Sequence, residues 1–448
     1  MSTLDGLAAS LQSVVGKEYL LTDAAAAPYA VDDVLPSLVA LPENEDQVAD
    51  ILRLADEHDA AVFPRGGGSH LRLGATPERV DVVLSVERLR RQLAYEPGDM
   101  TTTVQAGLPL EELQGVLGAQ GQFVALDPPA TAATTTGGVI ATNASGPRRL
   151  LYGTARDVVL GISVATADGA RSKAGGRVVK NVTGYDLTKL YIGSLGTLGV
   201  VLELTFKVHP LPPGEATIGI TCARHADILP ILNALLRLPL RLSSLELLNA
   251  AALSAVHAGG GALPSSPDLF LARLEGDAAV TAGQKDRIAD TLRGLSLGAP
   301  TDVHVMPARP EEQQRLWSSL AAQALSTDSV AAKVGLRITD LAAFCAEIEA
   351  LAADPPWLLH AHAGNGIVSV QIPAGDGNDE TLLVQIQALD ACVARLNGHR
   401  VIERAPVAVK RRCEVWGPVG DNFAVMQALK ASYDPRRRLN PGRFIGGL

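Results

Sequence analysis

Cysteine is scarce in this sequence, and its spacing is irregular. The 448 residues include four cysteines, Cys222, Cys345, Cys392 and Cys413, and no two of them form a CxxC motif. Iron–sulfur clusters and zinc fingers need clustered thiolates, so we expect neither. A disulfide scaffold is not expected either, and the few cysteines fit a reducing compartment.

Long apolar runs and an excess of basic residues are missing as well. The most apolar long stretch, residues 231–256, is interrupted by Arg237, Arg241 and Glu246, which argues against a membrane span. The 39 Lys and Arg against 48 Asp and Glu give a net charge of −9, so the chain as a whole should bind neither nucleic acid nor an anionic membrane. Residues 1–16 contain no basic segment followed by an apolar run, so no secretory signal is expected. We therefore expect a cytoplasmic protein, associated at most peripherally with the inner membrane through partners.

The sequence does contain enough apolar residues for a large core, at 47%, and a length that suggests roughly two to three domains. Up to about residue 210, short β-rich runs alternate with helices and glycine-rich turns. Beyond the prolines at 210, 212 and 213, strand–helix–strand recurs, which predicts two ferredoxin-like βαββαβ halves in one antiparallel sheet covered by helices. The fold class is therefore α+β, with predicted domains of residues 1–210 and 215–420 and a C-terminal segment of residues 421–448.

Glycine forms three clusters in the first predicted domain. Residues 65–70 (RGGGSH) follow a predicted strand, and consecutive glycines let backbone N–H groups point into one concavity that suits a pyrophosphate. This segment alone is equally consistent with a plain tight turn, and it matches neither the Walker loop nor GxGxxG. The other clusters are residues 134–146 and 184–199. Three such clusters together favour a large nucleotide cofactor.

These motifs carry a resemblance to a known family. In order, TxGGxxATNASG (135–146), YGTxRD (152–157), GYDL (184–187) and GSLGTLG (193–199) resemble the FAD-binding domain of the vanillyl-alcohol oxidase / p-cresol methylhydroxylase superfamily. The resemblance covers most of residues 35–210 and is closest to the glycolate oxidase FAD-binding subunits. The sequence Asn440-Pro441-Gly442 is similar to the family's closing motif, which implies that the C-terminal segment returns to the flavin domain.

The resemblance implies a set of FAD contacts. The pyrophosphate cradle would be Arg65, Gly66, Gly67, Gly68, Ser69 and His70. The flavin and its ribityl-diphosphate chain would be lined by Pro129, Thr135, Gly137, Gly138, Asn143, Gly146 and Gly153. Gly199 and Val200 would contact the adenosine end, and Asn440 would lie near the isoalloxazine ring. Some members attach FAD through a histidine four places after the loop arginine; here that place is Ser69, so we expect non-covalent FAD.

The catalytic motifs of the family's 2-hydroxyacid dehydrogenases are incomplete in this chain. Their HxGDGNxH and EHG motifs, thought to hold a divalent metal, correspond to HAGNGIVS (362–369) and ERA (403–405). His360 and His362 would face one side of a strand and are candidate catalytic residues. A structural role at a hairpin end is the alternative. With no third ligand at a matching place, we expect no metal. Arg148 is a further candidate, for binding an acidic substrate, although a solvated helix end is an equal alternative.

The resemblance implies an FAD-dependent oxidoreductase subunit that oxidises a small 2-hydroxy acid, glycolate or D-lactate, or relays its electrons. The alternatives are a non-catalytic flavin-binding or assembly subunit and a stand-alone FAD alcohol oxidase. The resemblance also implies a complex with a homologous flavoprotein and an iron–sulfur subunit. The basic runs 410–412 and 436–438 are predicted to be exposed docking points for an acidic partner.

Overall fold

The computed structural model describes residues 3–129, 132–178, 185–258, 263–306, 309–323, 329–351, 354–375 and 378–448. The strands of the N-terminal half are β1 Leu20–Leu21, β2 Pro36–Ala40, β3 Val62–Arg65, β4 Val80–Ser85, β5 Gln92–Glu96, β6 Thr101–Gln105, β7 Gln122–Phe123, β8 Val159–Ala165, β9 Arg171–Gly175, β10 Val200–Lys207 and β11 His209–Pro210. Those of the C-terminal half are β12 Glu215–Cys222, β13 Leu242–Asn249, β14 Asp268–Glu275, β15 Val303–Val305, β16 Ser329–Gly335, β17 Leu358–His362, β18 Ile367–Pro373 and β19 His399–Arg404.

The α-helices follow the same order along the chain. They are α1 Thr3–Val15, α2 Asp23–Ala26, α3 Glu45–Glu57, α4 Leu110–Gly118, α5 Thr136–Thr142, α6 Arg149–Tyr152, α7 Ala155–Val158, α8 Thr188–Tyr191, α9 His225–Arg237, α10 Ala250–Ala258, α11 Ala278–Arg293, α12 Pro310–Gln323, α13 Leu341–Ala350, α14 Asp379–Arg395, α15 Val407–Lys410 and α16 Phe423–Tyr433. Among the described residues, none of these helices is long and apolar enough to cross a membrane.

Two larger sheets, with a small two-stranded sheet of β7 and β11, build the N-terminal half. In the first, the order is β1-β2-β4-β3, and β2, β4 and β3 run parallel. In the second, the order is β5-β6-β10-β8-β9, and all neighbours are antiparallel. Helix α3 shows why the local sequence folds as it does. The Asn44 side chain accepts a hydrogen bond from the Gln47 N–H at 2.9 Å and caps the helix, whose apolar face is buried.

Eight strands of the described residues form one antiparallel sheet in the C-terminal half, in the order β15-β12-β14-β13-β17-β18-β16-β19. Each half of this sheet has the ferredoxin-like strand order, and β13 joins the halves by pairing with β17. Helices α9, α11, α13 and α14 bury their apolar residues against one face. The predicted fold class is confirmed, while the domain boundaries at residues 210, 215 and 420 stay a prediction.

The C-terminal segment runs beside the first sheet. The Val62 N–H donates to the Arg438 carbonyl at 2.7 Å, and the Asn440 N–H donates to the Val62 carbonyl at 2.9 Å. Buried Lys430 holds the segment in place, since its ammonium donates to Asp434 and to the carbonyl of Leu439. This pairing carries Asn440 to the carboxyl end of β3, where the first glycine cluster begins.

The prediction that residues 410–412 form an exposed basic run is wrong at Lys410. Its side chain is fully buried, and its ammonium donates to Asp32 and, at 2.8 Å, to the Arg72 carbonyl. Arg412 is half-exposed and pairs with Glu380. Lys410 is buried while Arg411 and Arg412 are exposed, because α15 lies with one side against the N-terminal half.

The second basic run, residues 436–438, is also engaged within the chain. Arg436 pairs with Asp56 at 3.3 Å, and Arg438 pairs with Asp59. Ion pairs within the chain therefore leave less positive charge at both runs for docking an acidic partner.

Candidate cofactor cleft and adjoining polar cavity

The three glycine clusters converge on one cleft of about 850 Å³. Its lining combines the end of β3, the start of α5, the turn before β10 and the C-terminal segment. The predicted cofactor residues in this lining are Arg65, Gly66, Gly67, Gly68, Ser69, His70, Thr135, Gly137, Gly138, Gly199, Val200 and Asn440. Asn440 is held there by a hydrogen bond from its side-chain amide to the Leu195 carbonyl.

Close backbone packing explains several of these glycines without a ligand. A Cβ at Gly67 would lie 1.4 Å from the Ala133 carbonyl oxygen, and a Cβ at Gly146 would lie 1.8 Å from that of Asp127. At Gly138, by contrast, the nearest atom to an added Cβ is the Thr135 hydroxyl, at 3.1 Å. Gly67 and Gly146 are thus required by the protein's own backbone, whereas at Gly138 the added atom would press on the Thr135 side chain, which would have to shift by a few tenths of an ångström.

A buried polar atom in the wall of this cleft fits a polar ligand. Arg65 lines the cleft, and its Nε has no hydrogen-bond partner among the described residues. Buried polar atoms in native proteins are normally satisfied, so a group left open beside a cleft indicates a ligand that completes it. Together with the glycine-lined walls, this atom suits the phosphates of a dinucleotide.

A second cavity, of about 990 Å³, adjoins the first at Ser69, His70, Leu73 and Thr142. Pro129 and Gly146 line it from the N-terminal half. From the C-terminal half the polar lining residues are Lys333, His360, His362, Ser369, Glu403 and Arg404. The cofactor cleft therefore opens into a polar chamber whose opposite wall is the eight-stranded sheet.

Strand register places these polar side chains on one face of the sheet. Lys333 of β16 lies opposite Ser369 of β18, which lies opposite His360 of β17. Intervening residues such as Leu359 and Val368 point to the other face and are buried under the helices. Because side chains alternate along a strand, three neighbouring strands present one polar row to the cavity.

His360 and His362 share a buried carboxylate. His360 Nε2 and His362 Nδ1 each lie 2.7 Å from Glu246 Oε2, and Glu246 has 0% of its surface exposed. Burial by itself raises the pKa of Glu246, but the two histidines outweigh it and lower the pKa to about 2. The carboxylate is therefore ionised and fixes both imidazole rings.

Sequence reasoning missed Glu246, which is 114 residues before His360. Its one local signal is an acidic residue flanked by Leu245 and Leu247 in the sequence. The ligating atoms of Glu246, His360 and His362 lie within 4.8 Å of one another, close enough to hold a metal ion. The argument that no third ligand is present is therefore wrong, and the expected absence of a metal stays a prediction.

Charged residues of both signs line the second cavity, Arg72, Lys333 and Arg404 together with Asp127 and Glu403. Lys333 forms an ion pair with Glu403. Burial by itself raises the pKa of Glu403, but Lys333, His70 and Arg404 outweigh burial and lower that pKa overall. Arg404 has a lowered pKa because of its burial and because of neighbouring Arg72. Burial also lowers the pKa of His70, so its imidazole favours the neutral form.

Arg148, Asn143 and Gly153 do not line either cavity. Arg148 lies over the Phe123 ring at 5.0 Å and contacts Glu275 at 3.5 Å and Glu215 at 3.7 Å. Gly153, with φ +82°, ends α6. The roles proposed for these three residues stay predictions without support from their position.

Solved structures define the class of fold. The chain is similar to 4-ethylphenol oxidase from Gulosibacter chungangensis, with a TM-score of 0.77 and 16% identity over 98% of this chain and 97% of that one. It is also similar to p-cresol methylhydroxylase, with a TM-score of 0.76 and 16% identity over 98% and 96%. The fold is that of the vanillyl-alcohol oxidase / p-cresol methylhydroxylase flavoproteins.

Sequence comparison is more specific. A family model described as an FAD binding domain matches residues 36–175, and one described as the C-terminal domain of FAD linked oxidases matches residues 413–444. D-2-hydroxyglutarate dehydrogenase of Xanthomonas citri is 30% identical over 92% of this chain and 89% of its own length. Glycolate oxidase subunit GlcD of Bacillus subtilis is 27% identical over 92% and 89%. The chain belongs to this family of FAD-linked oxidoreductases, and its cofactor is FAD.

Proposed function

We propose that this protein oxidises a small 2-hydroxy acid, such as glycolate or D-lactate, to the 2-oxo acid. The observation that carries the proposal is the junction of the two cavities at Ser69 and His70. A substrate in the second cavity would meet cations, imidazoles and the cofactor cleft together. FAD, when bound, supplies the acceptor for the two electrons of the oxidation.

The residues of the second cavity divide into two roles in this proposal. Arg404, and Lys333 although it also pairs with Glu403, would place positive charge beside the substrate carboxylate. Glu246 accepts a hydrogen bond from each imidazole, which leaves the other nitrogen of His360 and of His362 able to take the hydroxyl proton. Glu246 thus positions the two bases, as a buried carboxylate does for a catalytic histidine.

Anaerobic flavin bleaching tests this proposal. Glycolate or D-lactate, added to the FAD-loaded protein without oxygen, should remove the absorbance of oxidised flavin and yield glyoxylate or pyruvate. Ethanol, which has the hydroxyl but no carboxylate, is the matched control and should leave the flavin oxidised. Failure of every 2-hydroxy acid to reduce the flavin would contradict the proposal.

Two observations favour the alternative of a non-catalytic flavin subunit. Ser369 stands where the family motif has its second histidine, and Glu403 of the later motif is already paired with Lys333. In that alternative the chain binds FAD but its flavin stays oxidised with every 2-hydroxy acid, alone and in its complex. A stand-alone oxidase would instead consume oxygen with no other protein present.

The electrons must leave the chain after each turnover, and we propose that a homologous flavoprotein and an iron–sulfur subunit receive them. The four cysteines are free thiols rather than a cluster-binding set. Purification from the native host should recover both subunits with this chain. Recovery of this chain by itself, with full dehydrogenase activity, would contradict the partner proposal.

A further inference from the structure

Ser145 brings a hydroxyl to the wall of the second cavity from the N-terminal half of the chain. Its oxygen accepts a hydrogen bond from Arg149 Nη1 at 2.9 Å. A guanidinium group only donates, so this contact occupies the oxygen of Ser145 and leaves its O–H proton for another acceptor. In the described parts of the chain, no acceptor lies within hydrogen-bond distance of that hydroxyl. The Ser145 O–H is therefore a donor available to a ligand of the cavity.

Arg149 fixes the direction of this donor. It begins α6, which packs against β13, the strand of Glu246. Burial lowers the pKa of Arg149, while the neighbouring carboxylates of Glu246 and Asp127 oppose this change. Because a cation holds the Ser145 oxygen on one side, the O–H proton points away from it, and the O–H bond is polarised and donates more strongly.

Two links place Ser145 near the two histidines of the cavity. Its guanidinium partner lies close to Glu246, which binds both imidazoles. The residue after it, Gly146, packs so tightly on Asp127 that an added Cβ would lie 1.8 Å from the Asp127 carbonyl oxygen. Burial raises the pKa of Asp127, and the charge of nearby His362 opposes this change. Both neighbours of Ser145 thus lead to the same pair of imidazoles.

The cations of the cavity lie further along the sheet. The strand order β13-β17-β18-β16-β19 places His360 and His362 beside Glu246, and Lys333 and Arg404 toward the opposite edge. A small 2-hydroxy acid whose carboxylate faces these cations has its hydroxyl toward the histidines. The substrate hydroxyl, rather than its carboxylate, is then the group that Ser145 meets.

We propose that Ser145 donates a hydrogen bond to the hydroxyl oxygen of the substrate, and that Arg149 is the positioning residue that aims this donor. The inference rests on the proposed function for the class of substrate. When a histidine takes the hydroxyl proton, the electron pair of the O–H bond stays on that oxygen. It becomes part of the carbonyl double bond as the same carbon gives up hydride to the cofactor. A donor fixed at an oxygen on which negative charge develops stabilises the transition state more than the ground state.

Two ligands that differ in this oxygen test the contact. Pyruvate has a carboxylate and the oxygen in question, whereas propionate has the carboxylate alone; each is titrated into the FAD-loaded protein while the flavin spectrum is recorded. Ser145→Ala should raise the Kd of pyruvate about three- to tenfold, as expected for one hydrogen bond, and change that of propionate by less than about twofold. Ser254→Ala, which removes an exposed hydroxyl of α10, should change neither. Equal losses for the two ligands, or no loss for either, would overturn the inference.

A double-mutant cycle tests the role of Arg149. Arg149→Met removes the guanidinium with little change in side-chain length and should also raise the Kd of pyruvate. If Arg149 acts through Ser145, adding Ser145→Ala to this variant should raise that Kd by less than about twofold more. Two losses that multiply in full would overturn the positioning role, because the two side chains would then act independently.

Flavin reduction separates this inference from the proposed function. With glycolate or D-lactate, whichever reduces the wild type, Ser145→Ala should lower the limiting rate of anaerobic flavin reduction at least about tenfold. An unchanged limiting rate would overturn the inference and leave the proposed function intact. If no 2-hydroxy acid reduces the wild-type flavin, the proposed function fails, and the pyruvate and propionate titrations still decide whether Ser145 makes the contact.

Discussion

Two buried acidic residues of the C-terminal sheet hold three histidines in place. Glu246 of β13 holds His360 and His362, and Asp268 of β14 holds His225, whose Nδ1 is 2.7 Å from the Asp268 carboxylate. Both acids have 0% of their surface exposed. An ionised carboxylate without a partner would be costly in such a position, so each acid specifies where its histidine lies.

The pH dependence of stability tests the pair of His225 and Asp268. The hydrogen bond to Asp268 raises the pKa of His225 to about 9, against the effect of burial. The charged imidazole therefore stabilises the fold fully below about pH 6.5, and this contribution, of the order of 1–3 kcal/mol, is lost as the pH rises to about 9. Urea unfolding of the wild type should show this loss between pH 6.5 and 9.

A variant with glutamine at the same position gives the comparison. His225→Gln should be less stable than the wild type at pH 6.5 and should lose less stability between pH 6.5 and 9. His304→Gln, a substitution of a histidine on edge strand β15, should keep the wild-type slope. The same slope in all three proteins would refute the assignment.

Glu246→Gln tests the positioning of the catalytic candidates. The amide keeps the size of the side chain but loses the charge that fixes both imidazoles. We expect the limiting rate of flavin reduction to fall roughly tenfold to a hundredfold while the substrate Kd changes by less than about threefold. Stopped-flow absorbance measures both quantities. Glu380→Gln, at an exposed position, is the control, and an unchanged rate in Glu246→Gln would argue against the two histidines as bases.

At the scale of elements, the turn between a strand and the next segment builds the cofactor cleft. The glycine loop follows β3 directly. Helix α5 begins just after residues 133–135, where Ala133 and Thr135 pack closely against Gly67 and Gly66. The sequence identified both elements because tight turns and close backbone contacts constrain residue type locally. Some of these glycines are needed because the protein's own backbone lies against them, as at Gly67, and others are not, as at Gly138. Only the packing around each glycine shows which reason applies.

Substitution at Gly138 is the cleaner test of the FAD site. At Gly138 an added Cβ would press on the Thr135 side chain and on no backbone atom, a milder collision than at Gly67, so loss of FAD by a folded Gly138→Val variant would point to the cofactor. Gly67→Val should also lose FAD, but through collision with Ala133. Gly115→Val places the same change where nothing lies within 4 Å and should retain normal flavin content, measured by absorbance after gel filtration. Normal flavin content in Gly138→Val would contradict the assignment.

At the scale of the whole molecule, one buried carboxylate ties distant parts of the chain together. Asp32 accepts from Lys410 of α15 and, at 2.8 Å, from Arg443 of the C-terminal segment. Burial lowers the pKa of Lys410 to about 8, although Asp32 opposes this change. Lys410 donates to the carbonyl of Arg72, and Arg443 donates to those of Leu71 and Leu73. Because Arg72 lines the second cavity, the Asp32 cluster connects the overall fold with that cavity.

Asp32→Asn should therefore destabilise the protein and loosen its cofactor. The substitution leaves two buried cations without a counter-charge, which costs about 3–5 kcal/mol for a broken buried pair. We expect a lower urea midpoint and release of FAD at a lower temperature. Asp33→Asn changes the neighbouring exposed aspartate and should behave as the wild type does. Equal stability of the two variants would refute the role of the cluster.

The sequence by itself determined the α+β class, the strand–helix–strand recurrence of the second half, the glycine clusters and the FAD family, because periodicity, capping and close backbone turns depend on residues near in the chain. Tertiary structure alone decided which charges meet. Glu246 reaches His360 through the pairing of β13 with β17, Lys410 is buried because Asp32 lies across from it, and Arg72 and Arg404 share one chamber. These contacts join residues more than 100 positions apart, and the strand register and packing that create them depend on the whole fold.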